Sequence, residues 1–166
     1  MYSAAADLSP LFVFEPGVWR SLLAELRRRS DGRRESGAFL LAARHVDRVK
    51  ITQVAYYDDL DATALRGGLR LGAAAFVRLW DLCDREGMHV AGDIHTHPWA
   101  IVSQSGIDRA NPMVARVGHV ALILPNYAKE LVGAASIGVH LYGGATGWQS
   151  WFGADSARLV ETGNVR

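Results

Sequence analysis

The chain has 166 residues, 49% of them hydrophobic and 21% charged, with 18 Lys and Arg against 17 Asp and Glu. This is the size and composition of one globular domain, expected over residues 1–166, and it excludes a disordered or fibrous chain. A net charge of +1 gives no bulk attraction to nucleic acid, and no apolar run approaches the roughly 18 residues of a membrane span, so neither partner is expected.

The opening segment MYSAAADLSPLFVF lacks a basic n-region and a long apolar h-region, so no secretory signal is expected. The lone Cys83 excludes an internal disulfide framework. Together these features predict a reducing, cytoplasmic setting.

Leu11 to Phe14 reads as a short strand ending at Glu15-Pro16-Gly17. Val18, Leu22, Leu23 and Leu26 recur at helical spacing, with Arg27, Arg28 and Arg29 at the negative end of the helix dipole, and Asp31-Gly32 is the stop signal. Gly37 to Ala43 and Val46 to Tyr57 predict consecutive strands joined near Arg44-His45, and Asp58 to Leu71 predicts a surface loop. Residues 73 to 86 carry Ala75, Phe76, Leu79, Trp80, Leu82 and Cys83, a stripe that a helix would bury, with Gly87 ending it. Cys83 on that stripe reads as a buried structural thiol.

Val90 to Thr96 predicts a strand finishing before His97-Pro98. Ser105 to Ala110 predicts one short helix broken by Pro112, and His119 to Leu124 and Ile137 to Tyr142 predict two further strands. Trp148 and Trp151 near the end of the chain read as core. Mixed strands and helices in this order predict an α/β domain, a mixed central sheet flanked by helices in two or three layers. His45, His89, His119 and His140 are scattered without paired spacing, and the arginines at 27–29 and 33–34 read as a solvated helix end.

The chemistry concentrates in Asp93-Ile94-His95-Thr96-His97-Pro98, with Ser105 and Asp108 downstream. Alternation along a strand puts His95 and His97 on one side, where both imidazoles can converge on one ion. Residues 98–107 are enough chain to cross a loop and return the Asp108 carboxylate on a helix. Two nitrogens and one oxygen leave a fourth tetrahedral position for water, the arrangement of a catalytic zinc. The same residues also have plain structural readings. Histidines pack as amphipathic rings, and Ser105-Gly106-Ile107-Asp108 has the form of a helix capping box, which is compatible with Asp108 binding metal.

The run His-x-His-Pro followed by Ser-x-x-Asp, from His95 to Asp108, resembles the JAB/MPN domain metalloproteases with their JAMM signature, in particular the bacterial deubiquitinase-like branch. Glu35, in Arg34-Glu35-Ser36-Gly37, sits where that family places an upstream glutamate, and the element order agrees over roughly residues 10 to 145. The resemblance implies an MPN-type fold with cytidine-deaminase-like layering. It implies that His95, His97 and Asp108 ligate zinc, that Glu35 accepts a proton from the bound water, and that Ser105 stabilises the tetrahedral oxyanion. Asp93 departs from the aromatic residue of many eukaryotic members. It is open between accepting an imidazole N–H and competing with Asp108 as the carboxylate ligand.

The implied activity is a zinc isopeptidase or peptidase that cuts the amide bond after the C-terminus of a ubiquitin-like modifier. E1-like and E2-like proteins would act in trans, in a bacterial conjugation or phage-defence setting. The alternatives are a small-molecule or short-peptide amidase in sulfur-carrier metabolism and a non-catalytic MPN scaffold. Nucleic-acid deamination needs a Cys-x-x-Cys that one cysteine cannot supply.

Overall fold

The computed structural model describes residues 9–47 and 49–163. Eight strands form one mixed sheet: β1 (Phe12–Phe14), β2 (Gly37–Ala43), β3 (Lys50–Tyr56), β4 (Met88–Thr96), β5 (Val120–Leu124), β6 (Gly138–Tyr142), β7 (Trp148–Trp151) and β8 (Val160–Glu161). Their order across the sheet is β7-β6-β5-β4-β2-β3-β1-β8. β2 runs antiparallel to both β3 and β4, and β4 pairs parallel with β5.

The helices are α1 (Val18–Ser30), α2 (Tyr57–Leu60), α3 (Ala73–Glu86), α4 (Gly106–Ala110) and α5 (Ala154–Leu159). On one face of the sheet, Trp19, Leu22, Leu23 and Leu26 of α1 pack against Leu40, Ile94 and Leu122. On the other, Ala75, Leu79 and Cys83 of α3 pack with Phe39, Leu41 and Val90. Coverage of both faces explains why β2 reads GAFLLAA without polar alternation: successive side chains enter opposite cores.

α1 ends at Asp31, whose left-handed backbone returns its N–H to the Arg27 carbonyl, and α3 ends at left-handed Gly87 (φ 66°). Several expectations need correction. Val46 lies outside β3 and is exposed, and Tyr57 leaves the strand to open the one-turn helix α2 instead of a loop. Trp80 is on the outer edge of the α3 stripe and remains 43% exposed, because the sheet covers only the side bearing Ala75, Leu79 and Cys83. Trp148 and Trp151 sit on the edge strand β7, half-buried, with Trp148 donating its indole N–H to the Arg109 carbonyl at 3.1 Å.

Arg29, read as part of a solvated helix end, is instead held by Asp58 and Asp59 of α2 at 2.7 and 2.8 Å and stacks over the Tyr56 ring at 4.1 Å. Those contacts fasten α2 to α1 and fix the place from which Tyr57 enters the interior. No helix among the described residues is long and apolar enough to cross a membrane.

Candidate metal centre

β4 runs through the middle of the sheet, and its alternation sends Asp93, His95 and, one step past the strand end, His97 to one side. All three are buried. The strand end is fixed on both flanks: the His97 N–H donates to the Leu124 carbonyl at 2.8 Å, and the Thr96 N–H to the Ser36 carbonyl at 2.9 Å.

Asp108 arrives from α4. Ser105 caps that helix, its Oγ accepting from the Asp108 N–H at 3.1 Å while Asp108 Oδ2 accepts from the Ser105 N–H at 2.7 Å. The capping box and the metal reading therefore coexist in one carboxylate. His95, His97 and Asp108 come together, with one ligating atom from each within 4.8 Å of the others.

The three side chains come close enough to hold one ion, with the two imidazoles nearest to different oxygens of the Asp108 carboxylate. The separations are 3.2 Å between the two Nε2 atoms, 3.6 Å from His95 Nε2 to Asp108 Oδ1, and 3.3 Å from His97 Nε2 to Asp108 Oδ2. Tetrahedral zinc with bonds of about 2.0–2.1 Å requires donors roughly 3.3 Å apart. The His97 Nδ1–H is committed to the Ile101 carbonyl at 3.0 Å, which leaves its Nε2 lone pair facing inward. The same contacts also serve as ion pairs between Asp108 and either imidazole when protonated.

Electrostatics favour this pairing. Burial opposes ionisation of Asp108, but hydrogen bonds from His97 and Ser105 and the His95 charge outweigh it and hold the carboxyl well below the usual range. Burial likewise opposes protonation of His97, and the Asp108 and Ile101 acceptors, with the Asp108 and Glu35 charges, reverse it and raise its pKa.

Glu35 lies two residues before the start of β2. Gly37 is level with His95 at the end of the β2–β4 ladder, and the Glu35 charge is among those that raise the His97 pKa. Ser36 holds the backbone there. Its N–H donates to Thr96 Oγ1 at 3.0 Å, its hydroxyl to the Leu26 carbonyl at 2.8 Å, and its Oγ lies 2.8 Å from Ser30 Oγ. Glu35 is half-buried and Ser105 exposed.

Asp93 is not in the cluster. It sits on the Nδ1 side of His95, with Oδ1 2.6 Å from His119 Nε2 and Oδ2 accepting from the Tyr57 hydroxyl at 2.9 Å. Burial works against its charge, and His119 and His95 overcome this to pull the carboxyl down to about 2.

The scattered histidines thus include two that reach the site. His119 contacts Asp93, and His140 binds the Val102 carbonyl at 2.9 Å and Ser150 Oγ at 2.8 Å, bracing the loop that carries Ile101. No spacing rule could have found them, because β5 and β6 bring them in through sheet pairing. Trp148, Ile107, Gln104 and Met113 join His95 and Asp108 around a cavity of about 60 Å³.

No family model matches the chain. Its fold is shared with a protein from Desulfitobacterium hafniense solved in solution, at TM-score 0.60 and 17% identity over 85% of this chain and 90% of that one. A solution structure from Salinibacter ruber aligns at TM-score 0.56 and 16% identity, covering 90% and 91% of the two chains. A JAB1/MPN domain protein from Archaeoglobus fulgidus aligns more weakly, at TM-score 0.40 and 14% identity over 90% and 98%. At that score the likeness adds nothing to the case for the fold.

Proposed function

We propose that this chain is a zinc-dependent isopeptidase or peptidase of the JAB/MPN kind, hydrolysing the amide bond after the C-terminus of a ubiquitin-like modifier. The observation that carries the proposal is the convergence of His95, His97 and Asp108, one ligating atom of each within 4.8 Å of the others; Glu35 lies two residues before the Gly37–His95 pair of the β2–β4 ladder. His95, His97 and Asp108, the three residues for which the JAMM resemblance implies metal ligation, are the ones that cluster.

Bound zinc supplies charge stabilisation and lowers the pKa of water toward about 7. Glu35 takes the proton of the attacking water and delivers it to the leaving amine, so no covalent intermediate is needed. The Ser105 Oγ accepts the Asp108 N–H as a helix cap, which leaves its own hydroxyl hydrogen free to donate to the developing oxyanion. A scaffold role is disfavoured, because it would not require this full donor set.

The test uses the full chain, loaded with zinc, and a ubiquitin-like protein fused through its C-terminal tail to a reporter. Cleavage at the end of the tail, abolished by a chelator and restored by zinc, is the expected result. Zinc-loaded protein that leaves such fusions intact but cleaves short acyl amides would move the assignment to the small-amidase alternative.

A further inference from the structure

The metal-centre geometry uses one nitrogen of each imidazole, and the other nitrogen of His97 is accounted for by the Ile101 carbonyl. The other nitrogen of His95, Nδ1, faces Asp93 Oδ2 at 3.8 Å. This carboxylate is 2% exposed, and each of its oxygens already has a donor from a different part of the chain. His119, fully buried just before β5, provides Nε2 at 2.6 Å, and Tyr57, fully buried at the start of α2, provides its hydroxyl at 2.9 Å.

His119 Nδ1 has no hydrogen-bond partner among the described residues, which places the ring proton on Nε2, where it can donate to Asp93. A buried charge is costly, and replacing such a group by apolar residues of similar volume is often neutral or stabilising. An apolar side chain would satisfy packing at position 93. Instead the fold spends a tyrosine and a histidine on fixing a carboxylate behind one imidazole.

We infer that Asp93, anchored by Tyr57 and His119, is the positioning group for His95, holding its Nδ1–H edge toward Oδ2 and aiming Nε2 at the metal. The inference rests on the metal-centre reading of the proposed function. At 3.8 Å the contact is longer than a hydrogen bond, so the coupling runs through charge, and the two short bonds on Asp93 keep that charge in place. Each metal-facing imidazole then has its own partner behind it: a hydrogen-bonded backbone carbonyl for His97 and a buried carboxylate charge for His95. Tyr57 and His119 are positioning residues that touch neither metal nor substrate.

The test measures Co²⁺ affinity and the visible absorption of the Co²⁺-loaded full chain, independently of any hydrolysis. Asp93→Asn is expected to weaken binding by about 10- to 100-fold, the usual effect of losing such a partner, and to alter the cobalt bands. Tyr57→Phe, which keeps the ring and removes only the donor, gives a smaller loss in the same direction. His119→Gln, which retains an N–H donor, binds better than His119→Leu.

A purely structural role would lower Tm and leave affinity and spectrum unchanged. Folded Asp93→Asn and Tyr57→Phe proteins that bind Co²⁺ within twofold of wild type, while His97→Ala has lost it, overturn the inference and leave the metal centre standing. If Asp93→Asn does not fold, Tyr57→Phe decides by the same criterion. Wild-type protein with no Co²⁺ site that His97→Ala removes would overturn both.

Discussion

The main-chain N–H of Tyr127 donates to the carbonyl of His97 at 2.8 Å, and the residue that makes this bond is in a left-handed conformation (φ 55°). Asn126, Tyr127 and Ala128 all have positive φ without being glycine, a backbone that costs about 1–2 kcal/mol per residue. The neighbouring Asn126 N–H donates to the Trp99 carbonyl at 2.9 Å. The strained turn after β5 therefore grips the chain on both sides of Pro98 and sets where the second imidazole leaves the sheet.

Tyr127→Pro removes that N–H and forces φ toward about −65°, so it should destabilise the protein on the order of 3 kcal/mol and lower zinc affinity. Tyr127→Gly keeps the N–H and accepts positive φ, so its zinc affinity should stay near wild type. Denaturant unfolding with a competitive zinc titration on both variants checks this. Equal zinc affinity in the two would separate the turn from His97.

Gly37 faces His95 across the ladder, and a Cβ there would collide with the Tyr57 ring and approach the Ile94 carbonyl to 2.9 Å. Gly37→Ala should therefore overpack the site, at a cost of about 1–3 kcal/mol, and lower Tm by roughly 2–10 °C. Thermal unfolding measures the drop. A variant as stable as wild type would mean that the Tyr57 ring is free to move aside.

His140 should make stability fall on acidification. Burial disfavours its charged form and outweighs the Val102 hydrogen bond, so its folded pKa lies below the usual 6.5. The unfolded chain then takes up the proton first, and stability present above about pH 6.5 is lost as pH falls toward the folded value. Unfolding free energies of metal-free wild type and His140→Gln from pH 7.5 to 5.5 should show the shallower slope in the variant. Equal slopes would exclude His140 as the source.

Much of the site was legible because its donors are close in sequence: the alternation at His95 and His97 and the cap spacing of Ser105 and Asp108 are local rules that β4 and α4 follow. The strand at Phe12 and the helices from Val18 and Ala73 were legible for the same reason, since their periodicity lies within one element. Tyr57, His119, His140 and Trp148 were not, because each reaches the site through pairing of distant segments. Tyr57 had looked like the end of a strand. Its role depends on α2 turning it inward and on Gly37 leaving room for the ring, and neither carries a local signal. For Asp93, alternation fixed the face but carried no signal for the contacts with Tyr57 and His119 that occupy both of its oxygens.

The most direct measurement compares wild type and Glu35→Gln side by side, each with zinc content determined, on one ubiquitin-like protein fused through its C-terminal tail to a reporter. The glutamine matches the shape of the glutamate and cannot take the proton. The expected result is about one zinc per chain in both proteins, cleavage at the end of the tail by wild type, and a loss of roughly 10²-fold or more in the variant. A zinc-loaded Glu35→Gln protein that cleaves as fast as wild type would contradict the account.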